Sequence, residues 1–397
     1  MSNSPIFVVN AGSSSLKFGL YATQDGEEQP VCEGLADGIG RGTGKIELND
    51  AGGRVLRSES LTLKSHESAM AAATRLLGEI FPLQPCAIGH RVVHGGPRLV
   101  SHQRITPAVR AELRKCIHFA PLHIPIELEL VAEAERSYPD VPQFACFDTA
   151  FHRSLPEVAA RLPLPRELFD EGIRRYGFHG LSYESIVRQL GKDLPSRTVI
   201  AHLGSGASLA AVKDGQSIDT TMGFTPTGGI PMATRSGDLD PGVLLYLLRA
   251  KGMNADSLER LLNHSSGLLA ISGGTADMRD LETAADGGSP EAQLAIEIFC
   301  ISIRKAVAAY TAVLGGLEML VFAGGIGEHS ARVRTCVCRG LEFLGVSVEE
   351  PKVEGPKNEL HEATISARDS KVRVVIVAAQ ENRQIAQHCR ALLKTSH

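Results

Sequence analysis

The sequence lacks the basic excess that nucleic acid binding requires. Its 397 residues contain 41 Lys and Arg against 45 Asp and Glu, which gives a formal net charge of −4. A protein that neutralises a phosphate backbone needs positive charge in excess and in clusters. We therefore expect no nucleic acid partner.

Signals for a membrane or for secretion are also missing. No apolar run reaches the ~18 residues that span a bilayer, and the first sixteen residues contain no Lys or Arg. The eight cysteines are scattered, without the density of a secreted disulfide scaffold. We expect a cytoplasmic protein with reduced thiols, no membrane association and no metal at the close pair Cys336 and Cys338.

Two widespread nucleotide-binding signatures are not found. The sequence contains no Gly-x4-Gly-Lys-Ser/Thr motif, and Gly324-Gly325-Ile326-Gly327 lacks the spacing of a dinucleotide fingerprint. A P-loop domain and a Rossmann dinucleotide domain are therefore both excluded.

One pattern of strand, turn and strand occurs twice. The apolar run Ile6–Val9 precedes a turn of small residues, Asn10–Ser15, and the run Thr198–Ala201 precedes a second such turn, His202–Ser208. The recurrence predicts an internal duplication, with two similar lobes facing each other across a cleft. A chain of this length also has room for two domains or three.

Strand and helix patterns alternate along both halves, which predicts an α/β architecture with layered sheets. We expect further strands at Ala87–His94, Gln143–Phe147, Met319–Ala323 and Val372–Ala378. We expect helices over Ala69–Ile80 and after the N-terminal signals at Thr106-Pro107, Asp240-Pro241, Asn254 and Ser289-Pro290. The Gly-rich stretch Asp37–Gly53 is expected to be a loop or hairpin.

Turns of small residues let backbone N–H groups approach a phosphate. Three stretches have this composition, namely Asn10–Ser15, His202–Ser208 and Ala323–Glu328. Each alone is more often an ordinary turn, but three in one chain favour phosphate binding.

Arg91 lies in the segment His90–Gly96, where strand alternation would put Arg91 and Val93 on one face. A guanidinium beside a short apolar wall suits a small carboxylate, because its planar fork matches carboxylate geometry. The alternative is an arginine exposed at a strand end.

Three further segments carry polar side chains in loop contexts. Asp148 follows an apolar strand, where ligands of α/β proteins gather, and His179 lies between two glycines. Arg235 belongs to the long polar loop Thr225–Asp238, whose length is typical of a lid or binding loop. A structural histidine is the alternative for His179.

Several long motifs together resemble the acetate kinase family, over residues Ile6 to about Ala386. They are Val-Val-Asn-Ala-Gly-Ser-Ser-Ser-Leu-Lys-Phe at 8–18, His-Arg-Val-Val-His-Gly-Gly at 90–96, Phe-Asp-Thr-Ala-Phe-His at 147–152, Tyr-Gly-Phe-His-Gly at 176–180, Met-Gly-Phe-Thr-Pro at 222–226 and Thr-Arg-Ser-Gly-Asp at 234–238. The resemblance implies two duplicated actin-like, ribonuclease H-like lobes of the acetate and sugar kinase, Hsp70 and actin superfamily, with ATP between them.

The resemblance also implies that the two lobes have different functions. Residues 1–149 plus about 380–397 would form an N-terminal lobe on the acetate side. Residues 150–379 would form a C-terminal lobe that binds the nucleotide and joins a homodimer. The implied reaction is Mg²⁺-dependent, reversible transfer of the γ-phosphoryl group of ATP to acetate, giving acetyl phosphate and ADP. Mn²⁺ could replace Mg²⁺.

The resemblance assigns roles position by position. The implied metal-associated residues are Asn10 and Glu381. The implied catalytic residues are Arg91, Asp148, His179 and Arg235. The implied acetate pocket contains Arg91, Val93, Leu122, Phe178 and Pro226. The implied nucleotide-binding residues are Lys17, His202, Leu203, Gly204, Ser205, Gly206, Asp277, Met278, Arg279, Gly325, Ile326, Gly327, Glu328 and His329.

The chain departs from the usual family pattern at four places. The family usually has Asn where this chain has Ser205, His329 and Ile124, and its Thr-Asn-Glu-Glu is Ala379-Gln380-Glu381-Asn382 here. The first two concern the nucleotide and the third concerns the rim of the acyl site. One alternative is a propionate or butyrate kinase with the same machinery. Another, from a different class, is an actin- or Hsp70-like ATP-driven conformational switch.

Overall fold

The computed structural model describes residues 4–349 and 362–395. These residues divide into two compact units. The first unit comprises residues 4–150, 180–185 and 380–395, and the second comprises residues 151–179, 186–349 and 362–379. Each unit is built around its own sheet.

The strands are given in chain order. They are β1 (Ile6–Ala11), β2 (Ser15–Gln24), β3 (Glu27–Asp37), β4 (Thr43–Asp50), β5 (Val55–Thr62), β6 (Ala87–Val92), β7 (Gln103–Arg104), β8 (Gln143–Phe147), β9 (Arg197–Leu203), β10 (Ala207–Lys213), β11 (Gln216–Thr220), β12 (Met319–Ala323), β13 (Glu362–Thr364) and β14 (Arg373–Val377).

The α-helices are numbered in the same way. They are α1 (His66–Ile80), α2 (Pro107–Lys115), α3 (Ile124–Ser137), α4 (Glu157–Ala160), α5 (Arg166–Asp170), α6 (Gly180–Leu190), α7 (Pro241–Ala250), α8 (Ala255–His264), α9 (Gly267–Ser272), α10 (Met278–Asp286), α11 (Pro290–Leu314), α12 (Gly324–His329), α13 (Ala331–Cys338) and α14 (Glu381–Thr395).

The two sheets share one topology, which confirms the predicted duplication. The first has the order β5-β4-β3-β2-β1-β6-β8-β7 and the second β11-β10-β9-β12-β14-β13. In both, three antiparallel strands (β1–β3 and β9–β11) are followed by two strands parallel to the first of them (β6 and β8, β12 and β14). The predicted α/β fold with two related units is therefore confirmed.

Alternating side chains give the first sheet two packed faces. Phe7 and Val9 belong to a core with α1 and α3, whereas Ile6 and Val8 pack with Ile385 and its neighbours on α14. Because successive strand residues point to opposite faces, each apolar strand is buried on both sides. This parity decides which polar side chains at the strand ends share a face.

Most element boundaries agree with the sequence pattern. The helix starts at Thr106-Pro107, Asp240-Pro241, Asn254 and Ser289-Pro290 are all present, each with a side-chain N-cap. The stretch Asp37–Gly53 is more regular than a loop, because it contains β4 within a meander of β3, β4 and β5. In the part of the chain that the structure describes, no helix is long and apolar enough to cross a membrane.

Candidate active site

Three polar side chains lie at the carboxyl ends of neighbouring strands in the first unit. Asn10 is near the end of β1, Arg91 near the end of β6, and Asp148 directly follows β8. The residue two positions before each one packs against α14; these residues are Val8, Gly89 and Cys146. Strand parity therefore directs Asn10, Arg91 and Asp148 to the face that α14 covers, at the edge of the sheet where α/β proteins bind ligands.

Arg91 is fixed by a carboxylate and a backbone carbonyl. Its Nε and Nη2 donate to Oδ2 of Asp148 at 2.9 and 2.5 Å, and its Nη1 donates to the carbonyl of Ala11 at 3.0 Å. The side chain of Asp148 is 1% exposed and that of Arg91 16%. Both arginine bonds to Asp148 end on one oxygen, and the other, Oδ1, is buried with no hydrogen-bond partner in the described residues.

Burial raises the pKa of Asp148 to about 6. The adjacent Arg91 opposes the rise, while the negative charges of Glu381 and Glu184 add to it. Asp148 is therefore ionised at neutral pH but lies close enough to its titration range to respond to mild acid.

The N-terminus of α14 brings a carboxylate next to β1. Nδ2 of Asn10 donates to Glu381 at 3.1 Å and to Oδ1 of Asn382 at 3.0 Å. Lys17 lies opposite Asn10 in the β1–β2 register and is exposed. Cross-strand partners share a face of the sheet, so the first unit brings Asn10, Lys17 and Glu381 to one side.

Glu127, which the sequence analysis did not single out, adds a third carboxyl group near Arg91. It is 5% exposed, and its Oε1 accepts from the backbone N–H of Val93 at 3.0 Å. Burial raises its pKa to about 8, with the Val93 N–H and Arg91 opposing and Asp148 adding to the rise. The apolar periodicity of Ile124–Ala134 could have indicated this residue, because it puts position 127 on the buried stripe of α3.

His179 and His202 form the centre of a second cluster, in the second unit. Their rings stack at 4.4 Å, and Nδ1 of His179 lies 2.8 Å from Oγ of Ser208. His179 has φ 58°, a left-handed conformation that is rare outside glycine, and it immediately precedes α6. Such backbone strain is typical of positions where a side chain is held for function.

Arg235 and the β9–β10 turn complete this second cluster. A Cβ on Gly206 would lie 3.1 Å from Nε2 of His179 and 3.6 Å from Nη1 of Arg235. Nη1 also donates to the carbonyl of Pro226 at 3.2 Å. His179, Arg235 and the Gly-rich turn therefore surround one small space, which glycine keeps open.

The other predicted nucleotide-binding stretches lie at helix starts. Asp277 caps α10 and pairs with the exposed Arg279. The stretch Gly325–His329 is helical and belongs to α12, so the third small-residue turn is in fact a short helix directly after β12. The carboxylate of Glu328 accepts from the N–H groups of Gly324 and Ala379 at 2.9 and 3.0 Å, which holds this helix in place.

The predicted acyl-pocket residues differ in exposure. Val93 and Phe178 are buried, at 2% and 1%, and Leu122 is 40% exposed. Strand β6 ends at Val92, so strand alternation does not extend to the side chain of Val93. Val93 and Leu122 belong to the first unit, and Phe178 and Pro226 to the second.

A group of metal-ligating residue types, His102, Glu184 and His388, lies in the first unit apart from Arg91. Their ligand atoms are within 4.8 Å of one another. However, Nδ1 of His102 accepts from the N–H of Phe147 at 3.0 Å, so its Nε2 carries the hydrogen that Glu184 accepts. A nitrogen with a hydrogen has no lone pair for a cation, and the group is a hydrogen-bonded cluster.

Known proteins are similar to this chain over nearly its whole length. A family model for the acetokinase family matches residues 5–387. An acetate kinase of Methylocella silvestris is 43% identical and aligns over 98% of each chain. A propionate kinase of Citrobacter rodentium is 41% identical over 96% of this chain and 95% of its own.

Solved structures give the same result. The crystal structure of Porphyromonas gingivalis acetate kinase matches with a TM-score of 0.86 and 35% identity, covering 98% of this chain and 100% of that one. A propionate kinase from Francisella tularensis matches with a TM-score of 0.88, the same identity and the same coverage. The chain therefore belongs to the acetokinase family.

Proposed function

We propose that this protein is an acetate kinase, which reversibly transfers the γ-phosphoryl group of ATP to acetate to give acetyl phosphate and ADP. The observation that carries the proposal is Arg91, a partly exposed guanidinium held at the carboxyl end of β6 by Asp148 and Ala11. An arginine fixed in this way is suited to binding a small carboxylate. In this proposal the first unit binds acetate and the second binds the nucleotide.

Asp148 orients Arg91 and does not act as a general base. Acetate is already ionised at neutral pH, because ordinary carboxyl groups have pKa values near ~4. Its oxygen can attack phosphorus without losing a proton. The two bonds from Arg91 to Asp148 support the orienting role.

His179 and Arg235 act on the phosphoryl group during transfer. Phosphoryl transfer spreads negative charge over equatorial oxygens, so catalysis depends on donors fixed in advance. The hydrogen bond between His179 and Ser208 and the bond from Arg235 to Pro226 support such fixed positions. The glycines of the β9–β10 turn leave backbone N–H groups open to phosphate oxygens.

Asn10 and Glu381 fit a magnesium ion in this proposal. A carboxylate and a side-chain amide supply the hard oxygen donors that Mg²⁺ prefers, and the 3.1 Å bond between the two side chains puts them within reach of one ion. When bound, Mg²⁺ or Mn²⁺ neutralises charge on the ATP phosphates. Lys17, on the same side of the sheet, adds positive charge for the nucleotide.

Acetate is the preferred acceptor in the proposal, ahead of propionate and butyrate. In this proposal Val93 and Leu122 are the residues of the first unit that contact the methyl group. Relatives named acetate kinase and propionate kinase are similarly close to this chain. The propionate kinase alternative therefore concerns the shape of the pocket and leaves the reaction type unchanged.

We also propose a homodimer that forms through the second unit. None of the ten residues of α7, all in the described part of the chain, is buried, although the helix reads Pro-Gly-Val-Leu-Leu-Tyr-Leu-Leu-Arg-Ala. Leu245 is 47% exposed and Tyr246 55%. A contiguous exposed apolar face of this kind marks an interaction surface.

All eight cysteines lie among the described residues without a disulfide, which supports a reducing, cytoplasmic location.

Trapping of the acyl phosphate tests the proposal. The enzyme is incubated with ATP, Mg²⁺, hydroxylamine and a panel of short carboxylates, and hydroxamate is measured. We expect the largest signal with acetate. An ATP-driven switch would hydrolyse ATP without forming hydroxamate, and a propionate kinase would give its largest signal with propionate.

A further inference from the structure

Glu127 lies on the buried face of α3, where the other buried residues are apolar. The buried stripe of the helix consists of Ile124, Glu127, Leu130, Val131 and Ala134. Leu130 and Ala134 belong to the core between α3 and the first sheet. A carboxyl group at such a position loses its hydration, which disfavours the charged form unless partners compensate.

Only one of the two carboxyl oxygens of Glu127 has a hydrogen bond to replace its lost hydration. Oε1 accepts the N–H of Val93 at 3.0 Å. Oε2 is buried and has no hydrogen-bond partner in residues 4–349 and 362–395. Glu127 therefore makes a specific bond to the segment that follows Arg91, through one oxygen of a group that is 5% exposed.

The charge state of Glu127 affects the proposed acetate site, because Glu127 acts electrostatically on Arg91. Asp148, Glu381 and Glu127 all act on Arg91 electrostatically. If the three were ionised, one guanidinium would face three negative charges. An incoming acetate anion would then be repelled by the site that binds it.

The other charged and titratable groups on the elements packed around α3 are engaged elsewhere. On α1, His66 lies 2.8 Å from the carbonyl of Gly12, and Glu67 pairs with Arg136. On α2, Arg110 pairs with Glu135. On β6, Nε2 of the buried His90 lies 2.7 Å from Oε1 of Gln143. His94 accepts from the N–H of Gly96 and stacks on Phe119, and the backbone carbonyl of His123 accepts the N–H of Glu127.

We propose that Glu127 is a positioning residue that works as an uncharged carboxylic acid, holding the Val93 backbone while leaving Arg91 free to attract acetate. Ionisation of Glu127 would then weaken acetate binding. The inference rests on the proposed acetate site at Arg91. The direction of titration agrees with it, because a pKa of about 8 leaves Glu127 protonated at pH 7 and ionised above pH 9.

Acetate KM as a function of pH, at saturating MgATP, tests the proposal. In the wild-type enzyme we expect KM to rise about tenfold between pH 7 and 9, with a smaller change in kcat.

Glu127→Gln keeps an oxygen that can accept the N–H of Val93 and removes the titrating group. Its KM should therefore stay constant with pH and lie within about threefold of the wild-type value at pH 7. The matched control is Glu129→Gln, an exposed site on the same helix, which should keep the wild-type rise. A flat wild-type KM, or the same rise in Glu127→Gln, overturns the proposal.

A second measurement does not depend on the variant folding. In wild-type enzyme labelled with ¹⁵N-valine, the Val93 amide resonance should titrate with the same midpoint as the KM curve, since its N–H bonds directly to Glu127. A Val93 resonance that stays constant from pH 7 to 9 overturns the proposal. If no short carboxylate is phosphorylated, the proposed function fails, but this titration still shows whether Glu127 holds a proton.

Discussion

Arg91 and Asp148 are joined by two hydrogen bonds that both end on Oδ2 of Asp148. The carboxylate therefore fixes the direction of the guanidinium while its second oxygen stays without a protein partner in the described structure. In the proposed reaction this geometry aims Arg91 at acetate before the substrate arrives. Preorganisation of this kind reduces the cost of ordering charges during reaction.

Arg91→Ala should fold normally and lose turnover by orders of magnitude. A charge-assisted contact to a transition state contributes about 3 kcal/mol, or a hundredfold or more in rate. Arg235→Ala should show a loss of similar size. Arg98→Ala is the matched control, because the side chain of Arg98 is 72% exposed and its one ion pair among the described residues is with Glu112, at 3.6 Å. Near-wild-type kcat/KM in either active-site variant would contradict the two-arginine mechanism.

Glu381→Ala should raise the Mg²⁺ concentration needed for half-maximal activity more than it raises the KM for acetate. The reason is that the proposed role of Glu381 is to hold the metal, whereas the proposed role of Arg91 is to bind the carboxylate. Titrations of Mg²⁺ at fixed acetate and of acetate at saturating Mg²⁺ separate the two effects. An unchanged Mg²⁺ titration rejects the assignment.

Val93→Ala should shift the ratio of kcat/KM from acetate towards propionate. The change removes two methyl groups from a proposed pocket wall, and one methylene is worth about 1–3 kcal/mol in such a pocket. Wild-type discrimination should accordingly be tens- to hundreds-fold. If the ratio does not move, the wall lies elsewhere, and the Ile124 region is the next position to change.

Glu184→Gln should reduce stability at neutral pH but not at pH 2. Burial alone would raise the pKa of Glu184, yet the hydrogen bonds from His102 and His388 outweigh it and lower the pKa to about 2. A lowered carboxyl pKa stabilises the fold above about pH 4.5, and this stability is lost as pH falls towards 2. We expect a difference on the order of 1–3 kcal/mol in unfolding free energy at pH 7. A difference that is independent of pH would contradict the ionic role.

Leu245→Asp should convert the proposed dimer to a monomer, because it puts a charge into the apolar face of α7. The mass from light scattering should fall from about twice 42.4 kDa to about 42.4 kDa. Val158→Asp, at a side chain that is 90% exposed on α4, is the control and should leave the mass unchanged. A wild-type mass of one chain would show that α7 is not a dimer interface.

The sequence patterns predicted the strand ends well, because apolar runs buried on both faces end at recognisable polar residues. Asn10 and Asp148 each follow such a run, whereas the strand expected to continue past Arg91 to His94 ends at Val92. The parallel order of β1, β6 and β8 brings the three side chains to one edge. That order depends on long-range pairing, which local patterns do not specify. The duplication was visible because both copies begin with the same strand, turn and strand.

One helix could not be predicted from the local sequence. Gly324–His329 has the composition of a turn but forms a helix, because Glu328 bonds back to the N–H of Gly324 and to Ala379, far along the chain. There the decisive contacts are tertiary. Glu127 is a different case, because the apolar periodicity of α3 puts position 127 on the buried stripe, although a charged residue type is usually exposed.

The most direct test of the central claim is ³¹P NMR of the wild-type protein with ATP, Mg²⁺ and acetate. The proposed function predicts that an acetyl phosphate resonance grows in step with ADP, and that the same sample runs backwards when ADP and acetyl phosphate are supplied. Release of inorganic phosphate with ADP, without an acyl phosphate resonance, would contradict it.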